Sequence, residues 1–203
     1  MISLSEVRHM AAERSTTSLV RVLCLTRLTP NVLTLIGFMV SVVAAVVIGY
    51  EYPLYVGGLL VLFSGVFDLL DGPLARAKGQ STKFGAILDS TCDRLGEAAV
   101  LLGLLVLYLD RHSTWEPVLI YITFVCSVLV SYVKARAEGL GIRCEVGIFT
   151  RAERVIVLAL GLLIGHWMDK AVPIALGILA ALALVTVMQR LIYVRQVVGS
   201  HEP

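Results

Sequence analysis

Apolar and polar positions alternate along this chain on the scale of whole helices. Residues 31–50 carry no charge, and residues 53–67 are uncharged and run straight into Asp68. A third apolar run follows Lys83 and continues to Leu109. Residues 117–133 are uncharged, residues 155–168 make a short clean run, and residues 171–189 are uncharged again. A bilayer core about 30 Å thick needs roughly 20 helical residues, fewer where flanking turns help. Backbone groups in lipid must be satisfied within their own segment, which leaves helices as the spanning structure. The pattern predicts an all-α protein, a bundle of six transmembrane helices over residues 29–198, preceded by a juxtamembrane segment over residues 1–28. No repeat, low-complexity tract or second domain interrupts it, so residues 1–203 are expected to form a single membrane domain.

Charge placement orients this bundle. Of the 17 Lys and Arg residues, only Arg111 and Lys170 fall in the segments that lie outside when the N-terminus is inside. The positive-inside rule therefore predicts that both termini are cytoplasmic. In residues 2–26, Leu4, Val7, Met10 and Ala11 recur at helical spacing beside Arg8 and Arg14. That spacing predicts an interfacial helix on the cytoplasmic leaflet. No secretory leader with a cleavage site is recognisable there, so the N-terminus is expected to be retained.

Composition agrees with a membrane location. Hydrophobic residues make up 58% of the chain, against about 45–50% in soluble domains, and the mean hydropathy is +0.87. A net charge of +2 is too small to suggest a nucleic-acid partner. The four cysteines, Cys24, Cys92, Cys126 and Cys144, are far apart. They suit neither a disulfide framework nor a zinc site, and read as small apolar core residues.

Two pairs of aspartates change the picture. Asp68 and Asp71 are three residues apart, and Asp89 and Asp93 four apart, so each pair shares a helix face. The pairs lie on consecutive antiparallel helices joined by a short basic loop, and the simplest packing brings all four carboxylates together. Ordinary pairing with Arg76, Lys78, Lys83 and Arg94 is the plain alternative. Four buried carboxylates cannot stay ionised without compensation. Two divalent cations would neutralise them, and hard oxygen ligands select Mg²⁺, Mn²⁺ or Ca²⁺ over zinc. Two such ions form a device for phosphoryl transfer. Gly72 and Gly85 beside the aspartates allow a backbone or ligand to approach closely. Pro73 is expected to weaken its helix locally.

The run Asp68-x-x-Asp71-Gly72-x-x-Ala75-Arg76-x(8)-Gly85-x-x-x-Asp89-x-x-x-Asp93 resembles the signature of the CDP-alcohol phosphotransferases at every fixed position. In that family a CDP-linked lipid gives its phosphatidyl group to an alcohol and CMP leaves. The resemblance implies that Asp68, Asp71 and Asp89 bind metal, as Mg²⁺ or Mn²⁺ and as two ions. It implies that Asp93 both touches metal and acts as general base on the acceptor hydroxyl. It places Asn31, Val32, Leu33 and Thr34, with Gly72, Arg76 and Thr82, against the CDP part of the donor. It also implies a homodimer in the cell (plasma) membrane with the active site facing the cytoplasm.

Lys134, Arg136, Arg151, Arg154 and Arg190 fall at the cytoplasmic ends of predicted helices. Taken alone they could simply anchor the bundle or bind acidic headgroups. The pattern also resembles the phosphatidylinositol-phosphate synthase branch, whose acceptor is inositol 1-phosphate. By that resemblance Ser131, Lys134, Arg154 and Arg190 bind the acceptor phosphate, with Arg136 and Arg151 nearby. The expected partners are thus CDP-diacylglycerol, a phosphorylated polyol and the bilayer. Glycerol 3-phosphate as acceptor, or an archaeal ether lipid as donor, fits the same pattern. A divalent-cation transporter is the reading from another class, and clustering of the aspartates at one membrane face argues against it. Gly161 and Gly165 make a small-xxx-small pair that suits helix packing within the chain or between two chains.

Overall fold

The structure, a computed structural model, describes residues 19–199. Among these there is no strand. Residues 19–24 are helical, and six long helices follow: α1 (Pro30–Gly49), α2 (Leu54–Ala77), α3 (Lys83–Asp110), α4 (Glu116–Gly139), α5 (Arg151–Gly165) and α6 (Ala171–Gly199). Most of the expected interfacial helix, residues 2–18, lies outside the described residues.

Several helices outrun their apolar stretches, and always toward the site. α2 continues ten residues past Phe67 to Ala77, carrying Asp68, Asp71 and Arg76, and Pro73 does not interrupt it. α4 runs on to Gly139 and α6 to Gly199. α1, α2, α4 and α6 are long and apolar enough to cross a bilayer. α3 is long enough, but Asp89, Asp93, Arg94 and Glu97 crowd the stretch from its first turns to its middle. α5 has 15 residues, a length of about 22 Å at 1.5 Å per residue. α1 shows how a span divides its faces. Leu33, Gly37, Ser41, Ala44 and Ile48 are buried, while Leu35, Met39, Val43 and Val46 face outward, as lipid contact demands.

Neighbouring helices close a ring in the order α2, α1, α3, α4, α6, α5 and back to α2. α2 and α3, consecutive in sequence, scarcely touch, because α1 lies between them and packs broadly on both. Ile48, Leu104, Leu107, Leu162, Val172 and Leu176 form the dry centre of the core. A small polar chamber of about 30 Å³ lies deeper in the ring, and every one of the six helices contributes to its wall. Ser41 and Ser64 join across it, Oγ to Oγ, at 3.0 Å.

Candidate active site

The ends of α1, α2 and α3 enclose a cavity of about 190 Å³ lined by Asn31, Thr34, Asp71, Gly72, Arg76, Thr82, Gly85 and Asp89. Two helix N-termini open into it. The side chain of Thr29 caps α1 by accepting from Val32 N. Thr82 Oγ1 caps α3 by accepting from Gly85 N at 2.9 Å. Helix N-termini carry unpaired N–H groups and partial positive charge, and so favour anions, phosphates above all. Gly85 is needed for this geometry: a Cβ there would meet Thr82 Oγ1 at 3.0 Å and Asn31 Oδ1 at 3.1 Å. Asp71 is buried, accepts from Thr34 Oγ1 at 2.7 Å, and interacts with the Asp89 carboxyl.

The other two aspartates look elsewhere. Arg151, at the start of α5, forms ion pairs through Nη2 with Asp68 Oδ2 at 2.7 Å and through Nη1 with Asp93 Oδ1. Arg94 stands 3.9 Å from the other Asp93 oxygen. The four carboxylates thus form two pairs, one facing the cavity and one bridged by a guanidinium. As arranged, no group of three His, Cys, Asp or Glu side chains among the described residues is gathered tightly enough to hold a metal ion. The donor set nevertheless suits a hard divalent cation. Asp71 and Asp89 adjoin each other with no basic side chain hydrogen-bonded to Asp71, and like charges so placed need a counter-ion. The Asp68–Asp93 pair already draws one from Arg151.

The segment from Asn31 to Thr34 divides by helical geometry. Asn31 and Thr34 line the cavity; Leu33 is in the core and Val32 is exposed. Consecutive helical side chains point about 100° apart, so Asn31 and Thr34 can offer side chains to a ligand in the cavity, and Val32 and Leu33 their backbone at the start of α1.

Arg154 lies within electrostatic reach of both Arg151 and Arg190, and each of these three has its own protein partners. A capping box of Thr150 and Glu153 starts α5, which sets Arg151 and Arg154 on one face. Arg154 is buried, and its Nη1 donates to Ser127 Oγ, to Ser127 O at 3.3 Å and to Glu97 at 3.2 and 3.3 Å. Arg190 donates through Nε to Val146 O at 2.9 Å and through Nη1 to Val130 O. Lys134 pairs with Glu138 at 3.7 Å on the same helix, Ser131 is half-buried, and Arg136 is exposed. Gly147 makes the turn beside Arg190: its φ is +138°, and a Cβ would meet Thr186 Cγ2 at 2.7 Å. Sequence reasoning missed Glu97, Ser127 and Gly147. Glu97 had a signal, as an acid four residues after Asp93 inside an apolar helix. The carbonyls of Val130 and Val146 had none.

The family model for CDP-alcohol phosphatidyltransferases matches residues 27–198. The chain is 38% identical over 177 residues to the phosphatidylinositol phosphate synthase of Mycobacteroides abscessus, covering 85% of this chain and 80% of that protein. It is 40% identical over 178 residues to the archaetidylinositol phosphate synthase of Methanothermobacter thermautotrophicus, covering 81% and 82%. The crystal structure of Mycobacterium tuberculosis phosphatidylinositol phosphate synthase with CDP-DAG bound superposes with a TM-score of 0.80 at 36% identity, covering 89% of this chain and 94% of that one. The same enzyme in complex with manganese and citrate gives a TM-score of 0.78 at 36% identity, covering 88% of each chain. With its aspartate signature, its helical fold and nearly its whole described length in agreement, this chain belongs to the CDP-alcohol phosphatidyltransferase family of enzymes.

Proposed function

We propose that this enzyme transfers the phosphatidyl group of CDP-diacylglycerol to 1D-myo-inositol 1-phosphate, forming phosphatidylinositol phosphate and releasing CMP. One observation carries the reading: the cavity where two helix N-termini meet Asp71 and Asp89 lies beside the Arg151-bridged pair Asp68 and Asp93. The N–H groups of α1 and α3, with Arg76, hold the diphosphate of the donor by charge-assisted hydrogen bonds. Gly72 and Gly85 keep the walls thin enough for the nucleotide, and Asn31 and Thr82 supply polar contacts. An apolar groove of about 330 Å³ between α2 and α5, lined by Leu62, Val66, Leu69, Val155 and Ile156, reaches Asp68 and Arg151 and suits an acyl chain of the same donor.

Asp68, Asp71, Asp89 and Asp93 would hold Mg²⁺ or Mn²⁺, as two ions. Bound there, the ions supply electrostatic stabilisation of the charge that develops on the diphosphate. Asp93 takes the proton of the acceptor hydroxyl as its oxygen bonds to phosphorus and the P–O bond to CMP breaks. Arg151 holds Asp93 in place through the ion pair between them. Arg154 and Arg190 face the acceptor phosphate with the guanidinium nitrogens not engaged by the protein, and Ser131, Lys134 and Arg136 complete the basic side of the site. The relatives named for inositol phosphate products support this acceptor over glycerol 3-phosphate.

The same reading takes all six helices as spanning, the site and both termini as cytoplasmic, the membrane as the plasma membrane and the assembly as a homodimer. Its support is the charge asymmetry along the chain. The test is an acceptor screen on purified protein with CDP-diacylglycerol and Mg²⁺, following CMP release. Inositol 1-phosphate should be used, and free inositol, lacking the phosphate, poorly. Preference for glycerol 3-phosphate would replace the acceptor, and equal use of free inositol would remove the basic pocket from the account.

A further inference from the structure

Glu97 sits in the middle of the ring, and no step described above uses it. It follows Asp93 by four residues on α3, so the two carboxylates stand one turn apart on one face and line the same central chamber. Its Oε1 accepts from Ser127 Oγ of α4 at 2.5 Å, and its two oxygens accept from Arg154 Nη1 of α5 at 3.3 and 3.2 Å. α3 and α5 do not pack through their backbones. Two side-chain rungs cross the space between them instead, Asp93–Arg151 above and Glu97–Arg154 below.

The lower rung is lopsided. The Arg154 side chain is 7% exposed and that of Glu97 23%. Every hydrogen bond that Arg154 donates leaves from Nη1, while its Nε is buried with no hydrogen-bond partner. Val61, Val100, Leu101, Leu158 and Leu179 make up much of the surrounding wall. A guanidinium in such surroundings is strongly disfavoured without a carboxylate. A carboxylate gripping one nitrogen leaves the rest of the planar, rigid fork uncommitted.

We propose that Glu97 is a positioning residue, which anchors Arg154 by Nη1 and Ser127 by its hydroxyl and so presents the remaining donors of Arg154 to the phosphate of the acceptor. Glu97 itself touches no substrate. The proposal rests on the reading of Arg154 as an acceptor-phosphate residue, and the experiment separates the two.

The full-length protein in lipid nanodiscs, with CDP-diacylglycerol, inositol 1-phosphate and Mg²⁺, is assayed as wild type, Glu97→Gln, Glu97→Asp, Arg154→Gln and the double variant Glu97→Gln/Arg154→Gln. Glu97→Gln should raise the KM for inositol 1-phosphate on the order of tenfold, the lower end of what a supporting partner contributes. The KM for CDP-diacylglycerol should stay within about twofold, because that ligand sits on the far side of the aspartates. Glu97→Asp, which keeps the charge and shortens the reach, should recover part of the loss. The double variant should be no worse in acceptor KM than Arg154→Gln alone, since Glu97 acts through Arg154. A merely structural pair would lower the folded fraction or move both KM values together, and either pattern without the split overturns the proposal. Losses that multiply in the double variant overturn it as well. If Arg154→Gln raises the acceptor KM and Glu97→Gln does not, Glu97 alone is excluded. If Arg154→Gln leaves the acceptor KM unchanged, the acceptor role of Arg154 falls first and the proposal with it. Should Glu97→Gln not fold, Glu97→Asp decides the matter by the same split between the two KM values.

Discussion

Arg151 occupies the first position of α5, where the positive end of the helix dipole disfavours a cation. It is kept there by Asp68 and Asp93, and it supplies the counter-charge to both carboxylates. A metal-free protein therefore has a counter-charge for Asp68 and Asp93. In EDTA, Arg151→Gln should lower stability by about 1.5–3 kcal/mol, the worth of hydrogen bonds to a charged group, and excess Mn²⁺ should restore it. Thermal denaturation in detergent, with and without metal, measures this. A variant that melts like the wild type in EDTA would show that Arg151 is not the counter-charge. Asp93→Asn removes the proton acceptor and keeps the size of the side chain. Turnover should fall by about 10²–10⁴-fold, the usual contribution of a general base, while binding of CDP-diacylglycerol persists. Near-normal turnover in a single-turnover assay would assign the proton to another group.

The helices pack through small residues at chosen levels. Gly103 of α3 lies against the α1 backbone, where a Cβ would come within 2.4 Å of Ala45 O. A backbone oxygen cannot swing aside as a side chain can, so Gly103→Ala must push α1 and α3 apart. Overpacking of this kind costs about 1–3 kcal/mol. The apparent Tm should drop accordingly, while the activity of the protein that remains folded stays close to normal, because Gly103 is far along α3 from the aspartates. An unchanged Tm would mean that the two helices are looser than their geometry implies. Gly161 and Gly165 work in the same way. Their missing Cβ atoms would meet Ala175 and Val172 of α6 at 2.4 and 2.7 Å, so the small-xxx-small pair serves contact within the chain. The spacing alone left a dimer contact open, because it does not say which neighbour fills the groove.

At the scale of the molecule, the ring gathers the aspartates at one end, polar groups in the central chamber, and apolar side chains around its outside. If the basic end is cytoplasmic, a cysteine in the turn between α3 and α4 must face outside and one between α4 and α5 inside. In a Cys24→Ser background, where the three remaining cysteines are buried, Ser113→Cys should react with an impermeant maleimide only in right-side-out vesicles and Glu145→Cys only in inverted ones. The reverse pattern would invert the bundle. Chelation should act on function and not on architecture. EDTA should abolish CMP release, Mg²⁺ or Mn²⁺ should restore it, and the circular dichroism of the helices should not change. Full activity in EDTA would remove the metal from the mechanism.

What the sequence determined by itself was local. A run of uncharged residues dictates a helix wherever lipid offers no hydrogen-bond partner, and each of the six apolar runs lies largely within one of α1 to α6, though α2, α4 and α6 run on beyond theirs. The spacing of three and four put each aspartate pair on one face, because 3.6 residues make a turn whatever lies around them. The glycines and arginine of the signature carried the family resemblance, since they answer to a ligand and not to the packing. Partners between helices were decided only by the tertiary structure. Spacing suggested that the aspartates of α2 and α3 would come together; α1 lies between the two helices, and the carboxylates sit in two neighbouring pairs within electrostatic reach of each other. Arg151 was expected beside the acceptor phosphate and is found between Asp68 and Asp93. The protein partners of Arg154 and Arg190, namely Glu97 and Ser127 or the carbonyls of Val130 and Val146, could not be read from the sequence. The physical reason is the same in every case. Charge and spacing along a helix follow from its own residues, but a buried charge takes whichever counter-charge or carbonyl the fold brings within reach, and that depends on which helix stands opposite.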